Sequence, residues 1–491
     1  MLKNLLPISA LLGISFFSQA QLAVDSTFGT HGYFSAPTFK AVLSVDIQPD
    51  KKVVMACSTS AENAYIVWRL RENGTTDSTF NKIGYITGTD IRTPRKVVAL
   101  PDSSILLMGT GYVSISGGFT TRIKLLKLTS KGIPDASFGI NGWVVFSGSS
   151  NGNEDAYDMQ VAADGKITVV GTTNTASSNH LDYLVLQYNA DGTPNQAFNP
   201  ATPGYKVFTL GDPTFTQTLY SLAIQEDGKL VVGGSKPNTS DYDFDLVCFR
   251  LTATGDLDNT FNSTGYYTVD MGGENVDVAN DIEIQQDGKI VLVANTGGWA
   301  VNKLIRLNAN GTRDNSYSYK GPDGIEYLAP FGTGFIVSGS SFISKINADG
   351  SLDKSVGTAG VWSIQLGSFV SLATLTTQGD TLYVAGEYYG SAYQGVVLRI
   401  QSRSLPTDIQ EGVVLQSGWS IYPNPFQEEL TIQGTGNGTA QVTVFDSEGK
   451  AILSKTALHG SITLQEIKQP GLYLVQWQEG SQVTQWKVVK K

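Results

Sequence analysis

The sequence predicts an all-β protein: a seven-bladed β-propeller followed by a small immunoglobulin-like β-sandwich. Three observations predict it. A β-hairpin phrase recurs along most of the 491 residues. A turn phrase, Asp-x-x-Phe and then Gly-aromatic, recurs between the hairpins in fixed order. Near Leu405 the recurrence stops and a different set of short alternating strands begins.

The hairpin is clearest at residues 222–234. Apolar and polar residues alternate up to Asp227-Gly228-Lys229, and an apolar run follows. Period-two patterning around Asp-Gly marks a hairpin, because the turn needs a positive φ that Gly adopts without steric cost. Copies centre on Asp50, Asp102, Asp164, Asp227 and Asp287, with Gly332-Thr333-Gly334 and Gln378-Gly379-Asp380 as the last two. The turn phrase begins at Asp25, Asp77, Asp135, Asn195 and Asp258, with worn copies at Asp314 and Asp353. An alternating strand completes each unit, at residues 65–70, 123–128, 183–188, 244–251, 304–307, 342–346 and 396–400.

Each unit thus offers about four strands, and such a sheet cannot bury both faces alone. Radial stacking of seven sheets gives a propeller, and the period is close to the roughly 40–50 residues of known propeller repeats. An open β-solenoid has much shorter rungs. The ends of the array complement each other. The last unit has no Asp-x-x-Phe phrase after it, whereas Asp25–Phe28 and the strand at Tyr33-Phe34 have no unit before them. Closure removes the free strand edge that an open array leaves in water. Residues 25–35 are therefore predicted to pack beside 396–403 as the outer strand of the last blade.

Residues 1–20 read as a secretory signal. Lys3 is the positive start, residues 5–17 are an apolar core interrupted by Pro7 and Gly13, and Ser18-Gln19-Ala20 is a small-residue cleavage site. The mature chain is expected to start at Gln21, and no Cys follows that would indicate a lipid anchor. No later segment approaches the roughly 20 apolar residues of a membrane-spanning helix. The net charge is −10 without a basic cluster, which argues against a nucleic-acid partner. Cys57 and Cys248 fall three units apart and are expected to be separate thiols. The propeller is expected over residues 21–402, a linker containing Pro406 over 403–418, and the sandwich over 419–491, where six or seven short strands alternate.

Two resemblances carry these expectations further. Ile284-Gln285-Gln286-Asp287-Gly288-Lys289-Ile290-Val291, with Gly255-Asp256-Leu257-Asp258-Asn259-Thr260-Phe261-Asn262, resembles the delta-60 repeat of secreted bacterial proteins. That resemblance implies a propeller-like array and no assigned chemistry. The sixth and seventh units depart from it, lacking Asp-Gly-Lys and the Phe. Tyr422-Pro423-Asn424-Pro425, Asp446 with Gly449-Lys450, Gly471-Leu472-Tyr473 and the basic finish at Lys487, Lys490 and Lys491 resemble the sorting domain of the type IX secretion system of Bacteroidetes. On that resemblance Tyr422, Pro423, Asn424, Pro425, Gly449, Lys450, Gly471 and Tyr473 are the candidate sorting residues. It implies the secretion machinery as partner, passage through the periplasm, and a secreted or cell-surface destination.

No catalytic constellation is legible. His31, His180 and His459 are scattered, and no local cluster supplies the three or four ligands of a zinc site. No cofactor is expected. The recurring Asp-Gly-Lys reads as a turn followed by a solvated Lys. Asp241, Asp243 and Asp245 share one strand face, as a calcium site or, on the stronger reading, as a charged blade edge. The Phe of Asp-x-x-Phe reads as packing between blades. Two functions stay open. One is a binding or scaffold protein whose loops at one propeller face take a glycan, peptide or protein. The other is a polysaccharide-acting hydrolase or lyase with carboxylates converging on the central channel.

Overall fold

The computed structural model describes residues 20–490 other than 31, 37–38, 60–63, 117, 149–151, 175–179, 213, 241–242, 273–275, 297–301, 365, 367–368, 390–392, 405–418, 423–424, 435–438, 447–449, 459–460 and 480–481. Residues 1–19 of the expected signal and most of the expected linker lie outside them. Among the described residues every regular element is a β-strand, and no helix is long and apolar enough to cross a membrane. Two compact units are present, Leu22–Ser402 and one that holds the strands after it.

In the first unit, antiparallel sheets succeed one another along the chain. The first comprises Ala41–Ile47, Val53–Ser58, Tyr65–Leu70 and Tyr85–Gly88. The second comprises Thr93–Ala99, Ile105–Ile115, Gly118–Leu128 and Trp143–Val145. The third comprises Glu154–Val161, Ile167–Thr173, Asp182–Tyr188 and Tyr205–Phe208. The fourth comprises Thr218–Ile224, Leu230–Ser240, Asp243–Leu251 and Tyr266–Val269. Among the described residues the fifth has only Asp277–Ile284, Ile290–Thr296 and Lys303–Leu307. The sixth comprises Ile325–Phe331, Gly334–Gly339, Phe342–Ile346 and Val361–Ser363. The seventh is built on Phe369–Gln378, Thr381–Tyr389 and Tyr393–Ser404. Four strands per unit therefore fails in the fifth sheet. There Gly321 is followed by Pro322, which has no N–H for a ladder, and not by an aromatic residue.

The first strand of each sheet contacts the first strand of the next, and Phe369–Gln378 returns to Ala41–Ile47. Each of these inner strands carries a register shift at the same place, so that Leu43, Arg95, Tyr157, Tyr220, Asn280, Glu326 and Ala373 are extra residues. A bulge re-aims its side chain and tightens the strand's twist. Hairpin copies that have lost Gly keep its backbone: Lys51 and Ser103 sit at φ 64°, where Gly228 sits at 80°.

The N-terminus closes the array as the sequence predicts. Tyr33–Ala36 pairs antiparallel with Tyr393–Ser404 in the register Tyr33↔Leu398 to Ala36↔Gly395. Ala20–Val24 lies beside the same strand. Phe34 and Phe39 pack on Trp68 with ring centroids 5.7 and 5.6 Å away, and Phe28 meets Tyr383 at 5.9 Å. One core cluster thus joins the first sheet, the seventh and the N-terminal segment.

A polar latch accompanies the Asp-x-x-Phe turn. In the first sheet Asp77 Oδ1 accepts the N–H and hydroxyl of Thr79, which makes the turn, while Oδ2 accepts Arg69 Nε at 2.9 Å. The Arg69 guanidinium lies 4.7 Å from the Phe80 ring and donates to Ser130 O in the next unit at 2.6 Å. The set recurs as Arg250–Asp258–Phe261 and Arg306–Asp314–Tyr317. It recurs across the closure as Arg399–Asp25–Phe28. Lys127–Asp135 and Lys345–Asp353 are single ion pairs at 3.3 and 3.0 Å. In the third sheet both charges are gone together, and Asn195 Nδ2 donates to Gln187 Oε1. The turn lysines are not simply solvated, since Lys229 and Lys289 each reach 3.3 Å from the latch carboxylate. Burial raises the Asp258 carboxyl, but hydrogen bonds from Thr260 and the Arg250 charge outweigh it and hold the group near a pKa of about 2.

The second unit is a seven-stranded antiparallel path: Trp419–Tyr422, Leu430–Gly434, Ser461–Leu464, Ala451–Leu458, Thr439–Phe445, Gly471–Glu479 and Gln482–Lys490. The path narrows to one pair, Leu458↔Ser461. Its core gathers Phe426, Val442, Val475, Trp477 and Val488.

Candidate functional site

The inner strands of the first three sheets open at one rim onto a cleft of about 420 Å³. Lys40 and Arg92, which directly precede the first two inner strands, line it together with Leu43, Thr110, Tyr112 and Asp155. Asp155 accepts the Thr110 hydroxyl and stands 3.6 Å from Arg95 Nη2. Two exposed aromatic pairs flank the cleft. Tyr112 and Phe119 close the long hairpin of the second sheet, with centroids 6.2 Å apart. Tyr389 and Tyr393 close that of the seventh, 5.0 Å apart. Phe119 is 72% exposed and Tyr393 48%. A cation lies against each pair: Arg92 is 4.5 Å from the Tyr112 ring and Lys40 5.9 Å from that of Tyr393. Neither cation has a carboxylate partner among the described residues. Cation–π contact orders both side chains while leaving their N–H groups free to donate outward.

A second group gathers deeper, on the inner strands. Lys96 Nζ is 3.0 Å from Asp158 Oδ1, and about a third of the Lys96 side chain (36%) stays open to water. Asp158 Oδ2 accepts Leu222 N, Asp281 Oδ2 accepts Leu328 N, and Asp46 Oδ2 accepts Ala99 N, so each carboxylate ties its strand to a neighbour. Burial pushes Asp281 up to about 7. Burial, then the Asp281 charge, pushes Glu283 up to about 8. The Lys96 ammonium is held protonated because Asp158 and Asp281 outweigh its burial. Glu283 makes no hydrogen bond among the described residues.

The sequence-predicted residues fall elsewhere. Cys57 and Cys248 are separate buried thiols. His31 and His459 lie outside the described residues, as does Asp241, and His180 sits beside Asp182, whose carboxyl is raised by burial and lowered by that imidazole. Asp243 accepts Asn238 Nδ2, whereas Asp245 Oδ1 and Asp277 Oδ1 are buried without a partner among the described residues. Among the described residues no three His, Cys, Asp or Glu side chains are arranged to hold a metal. Of the sorting residues, Tyr422 ends the first strand of the second unit and its hydroxyl donates to Gln433. Pro425 is exposed, Lys450 N donates to Asp446 Oδ1, and Tyr473 donates to Gln469 O from the strand that Gly471 opens. Pro423, Asn424 and Gly449 lie outside the described residues. Sequence reasoning missed the rim cleft and the latch arginines. The latter had a signal, a cation eight residues before the turn Asp in most copies.

Comparison with known families follows this division. Residues 420–491 match the model of the secretion system C-terminal sorting domain. The chain carries a type IX secretion sorting tail. The protein is thereby exported to the cell surface or the extracellular space. Residues 48–80, 162–198 and 285–317 match a model described as a β-propeller domain of unknown function (DUF5122). The sorting-tail protein has no match among curated proteins. Among solved structures it is similar to the polysaccharide lyase Uly1, at 12% identity over 79% of this chain and 98% of that one, with a TM-score of 0.46. It is similar to the α-L-arabinofuranosidase Arb93A from Fusarium graminearum, at 12% identity over 75% and 96%, TM-score 0.38. It is also similar to PorZ of Porphyromonas gingivalis, at 9% identity over 92% and 81%, TM-score 0.24. At these identities and scores none bears on the activity of this chain.

Proposed function

We propose that the protein is a secreted or surface-displayed binding protein, with a seven-bladed propeller over residues 21–402 as its binding module. The closed succession of inner-strand contacts supports seven blades. Residues 1–20 are its signal peptide, 403–418 its linker, and 419–491 an immunoglobulin-like sandwich that engages the secretion machinery through the sorting residues named above. The observation that carries the binding reading is the rim cleft framed by two exposed aromatic pairs. Soluble proteins seldom expose such groups together without a partner for them. A glycan and peptide array probed with the mature chain tests it. Signal that disappears in the Tyr112→Ala/Tyr393→Ala variant supports the reading, and an array pattern unchanged by those substitutions overturns it.

The Lys96 group favours a second reading, a hydrolase or lyase acting on polysaccharide. Glu283, with a pKa of about 8, is poised to carry a proton at neutral pH, next to carboxylates that hold an ammonium. Release of reducing ends or unsaturated products by the mature chain, abolished by Glu283→Gln, would establish it.

A further inference from the structure

Resting on the reading of the rim cleft as the binding site, we infer that its ligand is an acidic polysaccharide whose carboxylate or sulfate groups meet Lys40 and Arg92. The chain as a whole carries a net charge of −10. An acidic protein with two cations in one cleft, neither with a carboxylate partner among the described residues, has made a local exception, and charge complementarity then selects an anion. Lys40 and Arg92 both line the cleft, and each is steadied by one of the flanking aromatic pairs. The one carboxylate among the described lining residues, Asp155, is already engaged by Thr110 and Arg95. Among the described residues Arg95 Nε is a buried donor without a partner, and Thr59 Oγ1 on the cleft wall is likewise unpartnered. Such groups cost free energy until a ligand or water meets them.

The aromatic pairs specify the rest of the ligand. Tyr112 and Phe119 at one end, and Tyr389 and Tyr393 at the other, are exposed aromatic side chains beside the cations. A pyranose ring presents apolar C–H faces for stacking and polar edges for hydrogen bonding. A chain of sugars bearing acid groups matches both features at once, over a span that includes the first, second and seventh sheets. An acidic peptide matches the charge but has no recurring flat apolar face.

The test is affinity electrophoresis of the mature full-length protein in gels holding alginate (carboxylated), dextran sulfate (sulfated), laminarin (neutral) or polyglutamate. The expected result is retardation by alginate, dextran sulfate or both, and none by laminarin. The alginate and dextran sulfate lanes tell carboxylate from sulfate. Lys40→Ala/Arg92→Ala and, separately, Tyr112→Ala/Tyr393→Ala are expected to weaken retardation at least tenfold. Lys82→Ala/Lys131→Ala, two exposed lysines on turns at the opposite ends of the strands, is expected to leave it unchanged. Melting curves confirm that each variant is folded. Laminarin binding as strong as alginate binding, lost in the tyrosine variant, overturns the acidic class while leaving the cleft as the site. Acidic-polymer binding undiminished in both rim variants overturns the cleft reading as well. Stronger retardation by polyglutamate, or none by either acidic polysaccharide, overturns the inference.

Discussion

Asp25→Ala removes the carboxylate from the latch that joins the two ends of the array. Asp25 and Arg399 are 3% and 7% exposed and 374 residues apart, with Arg399 Nη2 2.7 Å from Asp25 Oδ2. Arg399 also lies over Phe28 and donates to Glu72 O in the turn that follows Tyr65–Leu70. The substitution strands a buried guanidinium, which costs about 3–5 kcal/mol in comparable sites. It also removes the acceptor for Thr27 N, so the turn that leads into the closing strand loosens. Asp25→Asn keeps that turn and loses only the charge, so its cost is expected to be smaller. Urea denaturation of the mature chain, followed by far-ultraviolet circular dichroism, reads the effect as a lower midpoint. If the closure contributes to the stability of the whole array, the loss appears as one cooperative shift. An unfolding free energy within about 0.5 kcal/mol of the parent, or a separate early transition confined to a few residues, would refute the reasoning.

Three further outcomes are expected. Deleting Trp419–Lys491 leaves the remaining chain in the periplasm, read by protease accessibility on intact cells, and unchanged surface display of the truncated protein would contradict it. Ser103→Gly relieves a positive φ at a turn where other copies have Gly, and is expected to raise stability by about 1 kcal/mol in the same urea assay. Asp281 and Glu283 have folded pKa values of about 7 and 8, above the roughly 4 of the unfolded chain. The folded state therefore holds protons that the unfolded state releases, so this part of the stability is fully present below about pH 4 and is lost progressively as pH rises, completely once it passes the folded values of about 7 and 8. Glu283→Gln is expected to remove on the order of 3 kcal/mol of the difference between pH 5.5 and 8.5, and an identical slope in the variant counts against it.

Much of the first unit was legible because its information is local and periodic. The hairpin and turn phrases each specify backbone within a few residues, and the surplus at Asp25 against the deficit after Ile400 exposed the closing contact. The missing outer strand of the fifth sheet was visible only as a worn Gly321. The latch was half legible. Its Phe was read as packing, but the Arg or Lys eight residues before the Asp was passed over, because on an alternating strand it looks like a solvent-facing residue. The paired change to Gln187 and Asn195 is the sequence trace of that contact. The cleft was illegible for another reason. Lys40 comes from the first sheet, Arg92 and Tyr112 from the second and Tyr393 from the seventh, and only stacking brings them together. The inner-strand bulges that re-aim Arg95 and Tyr157 leave no mark on the period-two pattern.

Closure also builds the site. Gly395 N donates to Phe39 O at 3.1 Å, which sets Lys40 beside Tyr393 across the junction of the two ends. Hydrogen exchange of the mature protein, resolved at Tyr33–Ala36, tests this most directly. A strand that closes the array is expected to exchange only through the same global opening as Val53–Ser58, giving both segments one protection free energy. Exchange at Tyr33–Ala36 as fast as in a fraying terminus, while Val53–Ser58 remains protected, would contradict closure by the N-terminus and with it the cleft that depends on it.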